Sequence, residues 1–304
     1  MKMTRLLSIL LSAGMVLMGF SGCASKKTDD GKLSVVASFY PMYDFAQKIG
    51  GDKVTVTNLT PAGVEPHEWE PKSTDMITIS DADVFIYNSD YTEGWVTSVL
   101  DSLDSKSLTI VKASADITLL QTTDSENGEE SGSDGHVWLD PEYAKIEMQA
   151  ICEAFCNADP TNKTYYEDNL ATYSEKLDQL DTEFAEALAD VPQKNIVVAH
   201  QAFGYLCAAY GLTQIPIEGL SADAEPDANR MMDIIDFVEE YDIHVIFFEE
   251  LVNPEVAEAI ADETGCETAA LNPLEGISDD EIAAGQDYFT VMESNLDTLV
   301  AALS

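Results

Sequence analysis

Apolar and polar residues in the first part of the chain alternate between short β-rich runs and segments with helical periodicity. The β-rich runs predict four strands, which cover Leu33–Ser38, Lys53–Leu59, Val84–Asn88 and Leu108–Lys112. Helical segments separate these runs, and this order is typical of an α/β unit with a mainly parallel sheet. We therefore expect the first part of the chain to fold as one α/β lobe.

The second half of the chain repeats this alternation. Its predicted strands are Asn195–Ala199, Gln214–Glu218, His244–Glu249 and Glu267–Leu271. Helical stretches such as Asp227–Tyr241 and Pro254–Thr264 lie between them. The pattern predicts an α/β fold with two lobes, each of which has a mainly parallel sheet flanked by helices.

A single long amphipathic helix is predicted between the two halves. From Asn162 to Ala189, apolar residues recur at spacings of three and four, and no Gly or Pro interrupts them. At about 1.5 Å per residue, this helix would be roughly 40 Å long and could lie across both lobes as a rigid element. The predicted domains are therefore an N-terminal lobe over 32–158, the linking helix over 159–190 and a C-terminal lobe over 191–304.

The N-terminus has the pattern of an export signal. Two basic residues precede an apolar run from Leu6 to Phe20, which is too short to remain across a bilayer and is typical of a secretory signal peptide. The run ends in Phe20-Ser21-Gly22-Cys23, which resembles the lipobox of bacterial lipoproteins. The resemblance implies a signal peptide over 1–22 and a diacylglycerol group on Cys23. It also implies a polar tether over 23–31 and a location on the extracytoplasmic face of the cell membrane.

Composition narrows the classes of partner. The chain has 304 residues, a formal net charge of −41 and 45% hydrophobic residues, so it can bury a core and is not a disordered acidic protein. So large a negative charge argues against nucleic acid or anionic lipid as a partner. An exported protein can oxidise its thiols, and Cys207 and Cys266 are candidates for a disulfide. Cys152 and Cys156, one helical turn apart, fit the pattern of buried thiols.

Only four histidines occur, and three stand where a ligand could bind. His67 lies in a loop segment with three prolines, and His136 follows the acidic segment Gln121–Gly135, which we predict to be a mobile loop. His200 ends a predicted strand, and in open α/β sheets ligands bind at the carboxyl ends of strands. His244 begins an apolar strand, so a structural role is expected for it.

Spacing alone does not identify a metal site here. The three candidate histidines are more than sixty residues apart along the sequence and match no zinc-finger or His-Glu-x-x-His pattern. However, six segments in this order resemble the zinc and manganese substrate-binding proteins of the cluster A-I class, and the resemblance extends over nearly all of the chain from Lys32. These segments are Val35–Tyr43, Pro61–Pro71, His136–Pro141, Val197–Tyr205, Gly219–Pro226 and Ile246–Glu250.

The resemblance implies a metal held in a cleft by two ligands from each lobe. His67 and His136 would come from the first lobe and His200 from the second. The fourth ligand stays open between two residues. Many relatives have an aspartate where this chain has Asn272, whereas a zinc-binding branch uses a glutamate that corresponds to Glu275. We prefer Glu275, because an anionic oxygen offsets the charge of the metal better than an amide does.

Three neutral imidazoles and one carboxylate suit tetrahedral Zn²⁺, whereas Mn²⁺ favours more oxygen ligands and a higher coordination number. The resemblance therefore implies a receptor that carries Zn²⁺ as its transported ligand, with Mn²⁺ as the alternative. The family further implies an ABC permease and its ATPase as partners, a lipid anchor in the membrane and a monomeric protein. The expected protein is not an enzyme.

Two other functions are compatible with parts of the sequence. Three histidines with a bound water form a catalytic zinc arrangement, so a zinc-dependent hydrolase is the alternative from a different class. The fourth position distinguishes the two, because a receptor fills it with a protein ligand while a hydrolase leaves it open. Some relatives are adhesins, but no residue of this chain indicates cell adhesion on its own.

Overall fold

A computed structural model of the chain describes residues 31–103, 107–123, 130–220, 226–249, 251 and 254–304. The predicted signal peptide 1–22, Cys23 and all of the predicted tether except Gly31 lie outside these residues. Within the described ranges, no helix is both long enough and apolar enough to cross a membrane.

The first sheet contains the four strands that the sequence predicts. All of its pairings are parallel, and the strand order is β2-β1-β3-β4. Every residue of β3 is buried, because helices pack on both faces of the sheet. The strands are β1 (Leu33–Ala37), β2 (Val54–Asn58), β3 (Val84–Tyr87) and β4 (Thr109–Lys112).

Among the described residues, four helices accompany this sheet, and two of them begin at an X-Pro dipeptide in which proline occupies the first turn, where its missing N–H is tolerated. The helix after residue 140 is also capped, because the Asp140 carboxylate accepts a hydrogen bond from the backbone N–H of Glu142. The four are α1 (Tyr40–Gly50), α2 (Ser73–Asp81), α3 (Val96–Ser102) and α4 (Pro141–Ala158).

The prediction of a mobile loop over Gln121–Gly135 is wrong at both ends of the segment, and its middle part, 124–129, lies outside the described residues. Strands β5 (Gln121–Thr123) and β6 (Glu130–Ser133) pair in antiparallel fashion, although the segment has almost no apolar residues. Backbone hydrogen bonds and one side-chain bond, from Nε2 of Gln121 to Oγ of Ser133 at 3.1 Å, define this ladder, so the hydrophobic pattern could not reveal it. As a result, Asp134 and His136 follow directly from an ordered strand.

The long helix is confirmed. Helix α5 (Lys163–Leu188) has 26 residues and is therefore about 39 Å long. It packs mainly against α4 and α1, and its ends lie within one residue of the predicted bounds. Its buried face is formed by the apolar side chains of Tyr166, Leu177, Leu180, Phe184 and Leu188.

The second sheet repeats the architecture of the first, with four parallel strands in the order β10-β9-β7-β8. The strands are β7 (Asn195–Val198), β8 (Thr213–Pro216), β9 (Val245–Phe248) and β10 (Glu267–Ala270). The accompanying helices are α6 (Gly204–Tyr210), α7 (Ala228–Glu240), α8 (Glu255–Thr264), α9 (Asp279–Ala283) and α10 (Tyr288–Leu303).

The two halves share one large hydrophobic core. Its members include Val35 of β1, Val198 of β7, Leu177 of α5 and Leu299 of α10. A partly exposed ion pair adds to this contact, since Nζ of Lys48 on α1 lies 2.8 Å from the carboxylate of Asp287, which caps α10. The boundaries proposed between lobes and linking helix stay a prediction.

The candidate disulfide between Cys207 and Cys266 does not form. Both thiols are free, as are those of Cys152 and Cys156. Cys207 lies in the shared core, whereas Sγ of Cys266 lies 3.1 Å from the backbone oxygen of Ile243 in a separate cluster. The two cysteines belong to different layers of the second half, which sequence position alone did not show.

Candidate metal centre

His67 is presented by the proline-rich loop after β2. Two tight turns shape this loop, with backbone hydrogen bonds from Val64 to Pro61 and from Trp69 to Pro66. The backbone N–H of His67 also donates to the carboxylate of Glu65, at 3.0 Å. The side chain of His67 is 13% exposed, so this histidine lies at the edge of the site.

His136 is the third residue after the end of β6 and is fully buried. Oδ1 of Asp134 accepts a hydrogen bond from the backbone N–H of His136 at 2.9 Å and lies 2.7 Å from its Nδ1 atom. A carboxylate at Nδ1 fixes the tautomer and the ring orientation, so Nε2 is the nitrogen left to bind a ligand. The ring of Trp138 packs against His136 at a centroid distance of 5.2 Å and encloses this side of the site.

His200 follows β7 and faces a second buried carboxylate. In the sheet, Val198 of β7 is paired with Phe247 of β9, so two residues further along each strand His200 lies opposite Glu249. Nδ1 of His200 is 2.6 Å from Oε1 of Glu249, and both side chains are buried. This arrangement again leaves Nε2 as the free nitrogen.

Glu275 is held in the loop that follows β10. Leu274 has a positive φ of 61°, and the side-chain oxygen of Asn272 accepts a hydrogen bond from its backbone N–H at 2.7 Å. The side chain of Asn295 bonds the backbone of Asn272 on both its N–H and C=O groups. The indole N–H of Trp138 donates to the Pro273 oxygen at 2.8 Å. These contacts shape the backbone that presents Glu275.

The four predicted groups meet at one point. Oε1 of Glu275 lies 3.0 Å from Nε2 of His67, 2.9 Å from Nε2 of His136 and 3.5 Å from Nε2 of His200. The candidate ligand atoms of all four residues lie within 4.8 Å of one another. Tetrahedral Zn²⁺ with bonds of about 2.0–2.1 Å requires ligand atoms roughly 3.3 Å apart, so the observed spacing fits a zinc-sized ion.

The electrostatics of the cluster favour a positive charge at its centre. Burial acts to raise the pKa of Glu275, but the imidazoles of His200, His136 and His67 outweigh it and hold that pKa well below the usual value. Burial likewise acts to lower the pKa of His136, but Asp134 and Glu275 raise it to about 9. Glu249 and Glu275 raise the pKa of His200 against burial in the same way. The carboxylates of Asp134, Glu249 and Glu275 therefore lie against the imidazoles of the cluster.

The remaining candidates take other positions. His244 precedes β9 and its side chain is 75% exposed, so it is a surface residue rather than part of a buried strand. Asn272 holds the Glu275 loop through its side chain. Asp134 and Glu249 were missed by sequence reasoning. Asp134 is only an acid two residues before a histidine, and Glu249 only an acid at the end of another strand. Their role becomes visible once it is known which residues lie opposite each other in the folded chain.

Comparison with known proteins agrees with this geometry. The chain matches a family model described as "ZnuA: Zinc-uptake complex component A periplasmic" over residues 35–302. The chain belongs to this family. The match includes all four residues of the cluster and confirms the resemblance that the sequence motifs indicate.

Two named relatives of this zinc-uptake component A family are similar over most of the chain. "Zinc-binding lipoprotein AdcA" of Streptococcus pneumoniae strain R6 is 39% identical over 298 residues, covering 95% of this chain and 60% of that protein. "High-affinity zinc uptake system protein ZnuA" of Bacillus subtilis strain 168 is 41% identical over 290 residues, covering 93% and 90%. The chain thus spans only about 60% of the length of the AdcA relative.

Solved structures of the family confirm the fold prediction. The Zn(II)-bound ZnuA-like domain of Streptococcus pneumoniae AdcA superimposes with a TM-score of 0.79 at 40% identity, covering 90% of this chain and 99% of that domain. The laminin-binding protein Lmb of Streptococcus agalactiae, described as having adhesin and metal transporting activity, gives a TM-score of 0.81 at 34% identity, with coverage of 90% and 100%.

Proposed function

We propose that this chain is the extracytoplasmic receptor of an ABC importer, which binds Zn²⁺ as its cargo and delivers it to a permease and its ATPase. The observation that carries the proposal is the convergence of three Nε2 atoms and one carboxylate oxygen within 4.8 Å. Membership of the zinc-uptake component A family supports the same role. The ligands are proposed to be His67, His136, His200 and Glu275.

The ligand set favours zinc over manganese. Three imidazole nitrogens and one carboxylate oxygen match the borderline character and tetrahedral preference of Zn²⁺. Mn²⁺ would require additional oxygen ligands. Cu²⁺ and Ni²⁺ bind such nitrogen sites strongly, in accordance with the Irving–Williams order, so affinity measured in vitro does not by itself define the cargo.

Capture fits the site better than hydrolysis does. A catalytic zinc has three protein ligands and an open position for water. Here a fourth protein group, Oε1 of Glu275, lies within 3.5 Å of the Nε2 atoms of all three histidines. Glu275 is 2% exposed and His136 and His200 are fully buried, so a bound ion would be screened from solvent and substrates.

His67 is proposed to control access to the site. It is the only partly exposed member of the cluster, and its loop is held by turns rather than by a strand or a helix. Loop segments open at lower free energy than packed sheets do, because fewer buried contacts are lost. Zn²⁺ would therefore enter the site past His67, while the other ligands remain in place.

Attachment to the membrane is proposed through a lipid on Cys23. The apolar run before Cys23 and the description of the Streptococcus pneumoniae relative as a lipoprotein support this location. Detection of a diacylglycerol group on Cys23 by mass spectrometry tests the attachment. An unmodified mature N-terminus would contradict it.

The transported metal is tested in the native cell envelope. We expect protein purified from that envelope to contain about one zinc per chain, and deletion of its gene to impair growth when zinc is limited by a chelator. Restoration of growth by the wild-type chain but not by His136→Ala would link transport to the cluster. Manganese in the purified protein, or equal restoration by both forms, would contradict the proposal.

A further inference from the structure

Tyr205 belongs to the second half of the chain but is surrounded by residues of the first half. It packs in a small buried cluster with Ile117 and Val137. Its ring also makes an edge contact with Tyr143 of α4, at a centroid distance of 5.5 Å. Tyr205 is only 2% exposed, so helix α6 inserts this side chain between elements of the other half.

The hydroxyl of Tyr205 bridges the two chain segments that flank the β5–β6 strand pair. It donates a hydrogen bond to the backbone oxygen of Asp134 at 2.8 Å and accepts one from the backbone N–H of Leu120, also at 2.8 Å. One phenolic O–H therefore satisfies a donor and an acceptor of the segment that leads into His136. Phenylalanine could fill the same space but could make neither bond.

Gly204 makes a second contact with the same aspartate. A Cβ atom at this position would lie 2.6 Å from Oδ2 of Asp134 and 3.1 Å from Nε2 of Gln214. The first of these distances is shorter than any van der Waals contact, so a larger residue would push the Asp134 carboxylate or the start of α6 aside. The absence of a side chain at Gly204 allows the two halves to approach this closely.

Asp134 connects these contacts to the metal centre. Its Oδ1 atom receives the backbone N–H of His136 and lies 2.7 Å from Nδ1 of the same residue. Tyr205 of the second half thus contacts the backbone oxygen of Asp134, and Gly204 lies against its Oδ2 atom. Ligand orientation of this kind depends on the partner of the imidazole being held in place itself.

We propose that Gly204 and Tyr205 are positioning residues for zinc binding, which dock α6 onto Asp134 and thereby hold His136 in its ligand orientation. This inference rests on the proposed function of the cluster as a zinc site. His200 precedes Gly204 by only four residues. A shift of this segment away from the first half would therefore withdraw His200 and loosen His136 in one movement. Release of the ion would then be cooperative across the two halves.

The hydroxyl of Tyr205 is tested with a matched pair of variants on the same helix. Tyr205→Phe removes the bridge, while Tyr210→Phe removes a similar bond to Asp181 away from the cluster. We expect Tyr205→Phe to weaken zinc binding about tenfold, mainly through faster dissociation into a chelator. It should also change the visible absorption of the Co²⁺-substituted protein, which reports ligand geometry. Tyr210→Phe should change neither property.

Stability of the metal-free protein separates positioning from a general loss of packing. If Tyr205→Phe lowers the melting temperature but leaves zinc dissociation and the Co²⁺ spectrum unchanged, the hydroxyl is only structural and the inference is overturned. Failure of the wild-type chain to bind zinc would instead overturn the proposed function.

Gly204 is tested by Gly204→Ala, with Gly94→Ala as the control because a Cβ at Gly94 meets no atom within 4 Å. We expect only the first substitution to weaken zinc binding and to alter the Co²⁺ spectrum. An affinity equal to that of wild type in Gly204→Ala would overturn the role of the close approach. If this variant does not fold, the Tyr205→Phe comparison still decides the proposal.

Discussion

Nδ1 of His200 lies 2.6 Å from Oε1 of Glu249, and both residues follow neighbouring strands of the second sheet. A buried carboxylate in this position turns Nε2 of the imidazole toward the metal and increases its basicity. We expect Glu249→Gln to weaken zinc binding by about 10- to 100-fold, the range typical of such partners. Isothermal titration with a competing chelator measures this loss. Glu239→Gln, an exposed change on α7, is the control, and equal affinities in the two variants would contradict the assigned role.

The histidines of the cluster should each contribute to affinity. His67→Ala, His136→Ala and His200→Ala are each expected to weaken zinc binding by at least tenfold, about 1.4 kcal/mol, because each removes one nitrogen ligand. His244→Ala provides the matched control, since this exposed residue lies at the start of a strand outside the cluster. Similar losses in all four variants, measured in the same chelator competition, would refute the division between ligands and surface histidine.

Glu275 and Asn272 are distinguished by calorimetry with and without zinc. A ligand that binds only the folded state raises the melting temperature, so the rise reports affinity. We expect Glu275→Gln to shrink the zinc-induced rise, because an amide offsets the ion's charge less well. Asn272→Ala should have a smaller effect, through the lost hydrogen bond to the backbone of Leu274. The reverse order would assign the fourth ligand to Asn272.

Glu147 makes stability depend on pH independently of the metal. It is fully buried on α4, and within the described residues neither of its carboxylate oxygens has a hydrogen-bond partner. Burial, followed by the charge of Glu93, raises its pKa well above the ordinary value of 4.5. At a pH between the ordinary pKa and the raised pKa of Glu147, the unfolded chain loses the carboxyl proton while the folded chain keeps it. The free energy of unfolding therefore falls as pH rises toward the folded pKa, by up to about 1.4 kcal/mol per pH unit.

Glu147→Gln should remove this contribution. We expect the stability of the metal-free variant to fall less than that of wild type between about pH 5 and pH 8, as measured by urea unfolding at each pH. Glu153→Gln, an exposed change on the same helix, should follow the wild-type curve. Parallel curves for Glu147→Gln and wild type would show that Glu147 does not titrate differently in the folded and unfolded states.

The fold could be read from sequence wherever periodicity was strong. The spacing of apolar residues identified α5 to within one residue, and the end of a parallel strand identified His200 as a candidate ligand. The short strands β5 and β6 were not predicted, because their polar residues show no alternation of hydrophobic and polar positions. The sequence pattern predicts an element when burial of one face requires apolar residues at a regular spacing. It does not predict a strand whose residues are almost all polar.

The site itself required long-range information. His67, His136 and Glu275 are separated by 69 and 139 residues, and no local spacing relates them. Family motifs supplied the ligand set, but they did not supply the partners Asp134 and Glu249. The His200–Glu249 contact follows from strand order, since β7 and β9 are neighbours in the sheet although α6, β8 and α7 lie between them in sequence. Strand order is a property of the folded chain.

Anomalous diffraction at the zinc edge, from crystals of the zinc-loaded protein, tests the four-ligand receptor site most directly. We expect a single strong peak at about 2.0–2.2 Å from Nε2 of His67, His136 and His200 and from an oxygen of Glu275. A peak bound by three histidines and an open water position would favour a hydrolase. A peak away from the cluster would contradict the proposed site altogether.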